Sequence, residues 1–216
     1  MANVSKWSKV AVAMQSALAA VKTITAISKA TQGMVTYAGV DAVNDGDYVV
    51  LTVNGMSQVD GRVFRVASSN ASPQTFLLES EDTTDYDTFS SGTFQVITFG
   101  YTMSTALGLT ASGGDFDFLD ITTIHDSIRK QVPGLSSPAV YTFDHIWDAS
   151  DVTLLAMNTA SDNQALRAFR FTFANGQKVV FTGYVGSTLL PTGNAQEVVK
   201  TPSVVTMFGR PKILSS

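Results

Sequence analysis

Residues 169–185 read FRFTFANGQKVVFTGYV. Two runs rich in Phe, Val and Thr flank the pair Asn175-Gly176, a strong signal for a β-hairpin. Two loops fit. A two-residue loop at Asn175-Gly176 sets Phe173 against Lys178 and Phe169 against Thr182. A three-residue loop, Ala174-Asn175-Gly176, sets Phe171 against Val179 and Phe169 against Phe181. We adopt the second register. It gathers the aromatic side chains on one face and gives Gly176 the left-handed position that such loops need. The other face then carries Arg170 against Val180 and Thr172 against Lys178. It is only half polar, so it too is expected to be covered.

The rest of the chain shares this shortage of charge. Charged residues make up 15% of the 216 residues, and there are 13 Phe, whereas soluble domains usually carry about 25% charge. The length allows one large domain or two small ones. No apolar run approaches the ~20 residues of a membrane span. The surplus apolar surface therefore points to a subunit covered by its neighbours; the plainer alternative is a large core. There are no cysteines, which excludes disulfides, thiolate zinc sites and cysteine nucleophiles. Lys6 and Lys9 precede an apolar run over 10–21 that resembles a signal peptide, but Gln15 and Ser16 interrupt it. The protein is expected to be made and kept in the cytoplasm of the producing cell.

The formal net charge of -4 is unevenly spread. Between Asp41 and Asp87 there are nine acidic residues and two basic ones, Arg62 and Arg65. The first thirty residues hold four lysines and no acid. One module is thus acidic and the remainder mildly basic. No basic stripe of the kind that grips nucleic acid is present, so tight DNA binding is not expected.

Along the chain, Val10, Val12 and Met14 alternate as in a strand, while 13–20 would equally suit a helix. From Thr23 the pattern is β. TITAISKATQGMVTY, DYVVLTVNGM, VDGRVFRV, PQTFLLES and GTFQVITF are short alternating segments separated by Gly, Asp and Asn. Val49, Leu51 and Val53 share one face, as do Phe64 and Val66. This spacing predicts a small barrel or sandwich, and a small β-barrel-like module is assigned to 23–100. Residues 102–114, with Gly108, Gly113 and Gly114, read as looser, and a boundary is placed near residue 100. DFDFLDITTI and SPAVYTFDHIW follow as strands. SDVTLLAMNTA is the best helix. Ser150 is its expected cap, Asp151 suits its positive end, and Val152, Leu155, Ala156 and Thr159 form the expected buried stripe. QEVVKTPSVVTMFGRPKIL is a strand in which Pro202 predicts an edge position, a bend or an irregular segment.

Candidate chemistry is sparse. His125-Asp126 lacks a nucleophile in an elbow, and adjacent side chains point apart on most backbones. His145, beside Trp147, reads as a core or interface histidine. Asp115, Asp117 and Asp120 lack calcium-loop spacing and a closing Glu, and read as an acidic loop. ESEDTTDYD (79–87) reads as a solvated loop; the sharper reading has its acids facing a basic neighbour or a channel. ASGGDF lacks the phosphate-loop pattern. No enzyme, cofactor or metal is expected.

The order TTIHDSIRKQVPGLSSP, YTFDHIWDASD, FRFTFANGQKVVFTGYV and VVTMFGRPK resembles the tail tube proteins of long-tailed bacteriophages with non-contractile tails. The likeness covers residues 101–212. NDGDYVVLTVNGMSQVDGRVFRV resembles a small β-module that recurs in phage structural proteins, although TYAGVDAVNDGD lacks the His-Gly often found before its first turn. The resemblance implies a mainly β fold, a β-sandwich or half-barrel with one packed helix, in hexameric rings stacked helically around a tape-measure protein. Other tail proteins join it, and DNA later passes through the lumen without specific binding. It implies a virion protein assembled in the host cytoplasm. Residues 1–22 are assigned to the tube domain with 101–216, and the acidic module over 23–100 is expected to face outward. Candidate subunit contacts are Lys6, Lys9, Arg170, Val180, Tyr184, Lys200, Arg210 and Lys212. Competing readings are a tail terminator or baseplate component, and a carbohydrate-binding β-sandwich adhesin using Trp7, Trp147 and tyrosines.

Overall fold

The structure, a computed structural model, describes residues 7, 9–39 and 42–215. Short alternating segments in the first half form β2 (Lys22–Ile27), β3 (Met34–Ala38), β4 (Tyr48–Asn54), β5 (Val63–Ala71), β6 (Gln74–Leu78) and β7 (Ser91–Thr102), preceded by β1 (Ala11–Leu18). The segment over 10–20 that fitted either state is therefore a strand. Strands β2-β3-β6-β5-β4-β7 lie side by side, and β7 returns to β2, closing a six-stranded barrel. Period-2 alternation sends Ile24, Val35, Val49, Leu51, Val53, Phe64, Val66, Phe76 and Phe94 into one interior. Tyr37, Phe76 and Phe94 meet edge to face or tilted, with ring centroids 5.2–5.9 Å apart. Each such ring fully removed from water is worth about 1.5–3 kcal/mol.

β7 continues past the barrel. Its first half pairs with β4 and β2, and its second half, from Ile97 to Thr102, pairs with β1. From β1 the sheet runs on through β12 (Leu166–Thr172), β13 (Lys178–Ser187), β14 (Lys200–Leu214), β11 (Val140–Ile146) and β8 (Ala106–Ser112). The expected hairpin is present in its expected register: Phe169 faces Phe181, Arg170 faces Val180 and Phe171 faces Val179. Phe173 N donates to Gln177 O at 2.9 Å, closing the Ala174-Asn175-Gly176 loop, with Gly176 at φ +86°. Phe169, Phe171, Phe181, Phe143 and Tyr141 pack as one aromatic cluster on one face.

Helix α1 (Val152–Asp162) covers that cluster. Its cap is Asp151 rather than the expected Ser150. The Asp151 carboxylate accepts from Thr153 N at 2.7 Å and Leu154 N at 3.2 Å, while Ser150 bonds Asp148. A carboxylate at that position both satisfies free N–H groups and meets the positive end of the helix. The buried stripe is also displaced. Thr153, Leu154, Met157 and Ala160 face inward, whereas Val152 and Leu155 are 67% and 44% exposed. Ala156 is partly buried and Thr159 is exposed.

Two further expectations change. Residues 106–112 are not loose; they form β8, held by its ladder to β11. β14 lies in the interior of the sheet, between β13 and β11. Pro202 is tolerated there because it sits one residue beyond Ser203, the last β14 residue paired with β13. The irregularity lies further along, where Gly209-Arg210-Pro211 bulges between the Thr182–Phe208 and Val180–Lys212 pairs, with Gly209 at φ +76°.

Candidate assembly surfaces

The hairpin's second face is covered, as its mixed polarity predicted. Val180 is fully buried with Tyr48, Val63, Ile97, Ala168 and Leu214, so the barrel packs directly on the sheet. The Arg170 guanidinium lies 4.7 Å from the Phe99 ring centre and 5.3 Å from that of Tyr48. Thr182 Oγ1 donates to Gly61 O at 2.6 Å and lies 3.0 Å from Phe208 O. Gly61, at φ +66°, needs its missing side chain, because a Cβ there would overlap the Phe208 ring.

A buried ionic group completes this joint. Glu81 accepts from Arg62 at 2.6 Å, from Lys212 at 2.5 Å and from the Tyr86 hydroxyl at 2.7 Å. Lys212 also donates to Ser80 O at 2.7 Å, and Arg62 to Gln58 O at 2.8 Å. Burial pushes the Glu81 carboxyl up, but Lys212, Tyr86 and Arg62 together outweigh it and hold the pKa below the usual carboxylate range. One acid of the 79–87 segment thus faces a base within the same chain, and the segment is not simply solvated. Glu79 likewise pairs with Arg65.

The other side of the molecule is open. The strand order begins at β2, which pairs back onto β7, and ends at β8, one edge of which pairs with no strand among the described residues. Between β8 and β11 the chain runs through β9 (Phe116–Asp120) and β10 (Gln131–Ser136), which among the described residues pair only with each other. Gly113 and Gly114, at φ +81° and +86°, mark the change of direction. Ser137 N donates to Asp115 O and Ile121 N to Lys130 O, so the ladder spans 115–137. At ~3.3 Å per residue this arm extends about 25 Å. Its tip is tied by Asp126 to Thr123 and Lys130, and by Asp120 to Arg129. Phe116, Phe118, Leu119, Ile124, Ile128 and Leu135 are all more than half exposed. Trp147, Val152, Leu190 and Val198 are further exposed apolar side chains. Such surfaces on a monomer mark contact sites.

The sequence-predicted contacts fall in different places. Lys6 lies outside the described residues. Lys9 and Arg210 are exposed, Lys200 is half-buried, and Tyr184 is 44% exposed with its ring edge-on to Phe208. Arg170, Val180 and Lys212 are engaged inside the chain, at the joint between barrel and sheet. The side chains of Val180 and Lys212 are therefore occupied within the subunit. The sequence reading missed the arm. Its signal was present in DFDFLDITTI, where large apolar residues alternate with acids yet no second apolar segment pairs with them. His145 is a core histidine: fully buried, with Nε2 2.8 Å from Ser203 Oγ. Burial pushes its pKa down, against the pull of Asp151 and Asp144.

Among the described residues no cluster of three or more His, Asp or Glu side chains is placed to hold a metal ion, and no helix is long and apolar enough to cross a membrane. No individually curated protein matches the chain. The protein family described as phage tail tube protein, TTP, matches residues 54–216, which take in part of the barrel, the open sheet apart from β1, and its arm. The chain therefore belongs to the phage tail tube proteins, structural components of the virion tail that assemble with copies of themselves and with other tail proteins.

Proposed function

We propose that six copies close into a ring and that rings stack helically into the tail tube through which the genome is delivered. One observation carries this reading: the twelve-stranded sheet ends on a single open strand, β8, beside an arm of uncovered apolar side chains. Pairing that edge with a neighbour removes the hazard that exposed β-edges pose, and a closed ring of shared strands removes edges altogether. A head-to-tail contact that does not close generates a filament, which fits stacking. In this reading the tube is non-contractile, encloses a tape-measure protein, and is assembled in the host cytoplasm. DNA traverses it without specific binding, since a basic lining would capture phosphates. The chain acts as structure and not as an enzyme.

The domain division follows the same logic. Pairing of β1 with β12 and β7 supports assigning residues 1–22 to the tube domain with 101–216. Residues 23–100 form the second module and face outward, because a barrel of that size would obstruct a channel. Lys9, Tyr184, Lys200 and Arg210, together with Lys6, guide register between subunits, while apolar contact holds them. Exposed ion pairs are worth only about 0–1 kcal/mol each.

Mass measurement in solution followed by negative-stain imaging tests the reading. Rings of six and long tubes are expected; a protein that stays monomeric at high concentration ends it. An image reconstruction with residues 41–87 in the lumen would remove the outward placement. Polymerisation indifferent to salt and to Lys→Gln changes at positions 6, 9 and 200 would remove the role of the lysines.

A further inference from the structure

Asn-Gly and Asp-Gly steps shape the turns of this chain, and the same steps carry a slow chemistry. An unhindered glycine nitrogen attacks the side-chain carbonyl carbon of the residue before it and closes a five-membered ring. The chain has four such steps: Asp45-Gly46, Asn54-Gly55, Asp60-Gly61 and Asn175-Gly176. In three of them the fold holds both reacting groups. Gly46 N donates to Val66 O, Gly61 N to Leu51 O and Gly176 N to Phe173 O, each at 2.9 Å. The side-chain oxygens are held as well. Asp45 accepts from Ser69 N at 2.6 Å, Asp60 from Val53 N at 2.8 Å and Asn175 from Gln177 N at 3.1 Å.

Asn54-Gly55 differs on both counts. Gly55 N has no hydrogen-bond acceptor among the described residues, and Asn54 Oδ1 has no donor. Asn54 Nδ2 donates to Ser91 Oγ at 3.3 Å, beyond the usual N–H···O range. Both residues are exposed. The turn nevertheless requires this glycine: it sits at φ +90°, and a Cβ there would lie 2.4 Å from Thr88 O.

We propose that Asn54 is a site of spontaneous covalent modification, deamidated through Gly55 with solvent water as the second reactant. Gly55 N gives its proton to solvent and bonds to Asn54 Cγ; the Cγ–Nδ2 bond breaks and ammonia leaves. Water then adds to one of the two ring carbonyls, and the C–N bond of that carbonyl opens. No electrons are exchanged with another reactant. Opening at Cγ gives aspartate. Opening at the main-chain carbonyl gives isoaspartate, whose backbone carries one extra carbon. Either product adds a negative charge to a module that is already acidic. Isoaspartate also disturbs the rung between Asn54 and Ser91 and the bond from Ser90 N to Asn54 O at 3.0 Å. Gly92, the next residue of β7, pairs with Ile24 of β2 where the barrel closes.

Full-length protein is held in warm, mildly alkaline buffer, sampled over time and digested for peptide mass mapping. The Asn54 peptide should gain the mass of an –NH2 replaced by –OH and split into two chromatographic forms. The Asn175 peptide should react about tenfold more slowly, because its hydrogen bonds must open first. In urea-unfolded protein the two should react within about threefold of each other, since the fold no longer separates them. Asn175 reacting as fast as Asn54 in the folded protein, an unreactive Asn54, or the same gap after unfolding would overturn the proposal. Isoelectric focusing of the aged intact protein gives a second reading. The acidic band that native protein accumulates should be lost in Asn54→Gln and kept in Asn175→Gln; a band undiminished in Asn54→Gln overturns the assignment.

Discussion

The barrel and the open sheet are built from the same kinds of strand, yet they finish differently. The barrel closes on itself, and among the described residues between 22 and 100 Met34 is the only large hydrophobic side chain that stands out at 40% exposure or more. The sheet beyond it has a dense aromatic core but leaves β8 open and sends out an arm whose larger side chains meet water. The difference teaches where each half completes its fold. A barrel satisfies its edges within one chain; the second sheet leaves β8 at its end.

If that contrast is right, damage to the barrel and damage to the arm should separate cleanly. Phe76→Ala, in the barrel interior, should cost about 3–5 kcal/mol of stability in chemical denaturation. Glu81→Ala should cost a similar amount, roughly 3–5 kcal/mol, because it leaves two buried cations facing each other. Lys212→Met should cost under about 1.5 kcal/mol, since Arg62 still balances Glu81. Equal losses for the two variants would break the argument that Arg62 alone balances Glu81.

Acid should distinguish the two halves next. His145 sits neutral in the open sheet with its pKa depressed by burial, whereas the unfolded chain takes up that proton near pH 6.5. Its contribution is whole above about pH 6.5 and declines by up to ~1.4 kcal/mol per pH unit below it. Glu81, depressed by its partners, keeps its contribution until pH falls below about 4.3. Trp7 packs on Phe171 and Phe173, and Trp147 donates to Leu189 O, so both tryptophans report on the open sheet. Urea midpoints read by their fluorescence should fall between pH 7 and 5.5, and His145→Gln should abolish the fall. Asp151→Ala, which uncaps α1, should cost about 1 kcal/mol. The smallest effect on stability belongs to Phe118→Asp on the arm, within about 0.5 kcal/mol. Its folded spectrum should be native while ring or tube formation is lost; a large loss of stability would show that the arm is needed by its own chain.

How much of this could be read beforehand depended on whether the relevant partner was near in sequence. The 169–185 hairpin was legible in full, because Asn-Gly fixes the turn and the Phe spacing fixes the register. The barrel strands were legible from alternation alone. The stripe of α1 was not, since Val152 and Leu155 compete with Leu154 and Met157, and apolar residues on both sides of a helix look alike when one side is kept for another surface. β8 escaped because its alternation is short, Leu107 and Leu109 around Gly108; the ladder to β11 holds it as a strand. Lys212 read as a surface cation because Glu81, its partner, is 131 positions away.

β7 belongs to both halves: its first residues are staves of the barrel and its last are a rung of the open sheet. A tug on the barrel is therefore borne along an unbroken backbone and by lateral ladders loaded in shear. The halves cannot be peeled apart at a hinge; separating them would mean drawing a strand out of the barrel. In a structural component of a virion tail, that shared stave acts as a tie rod.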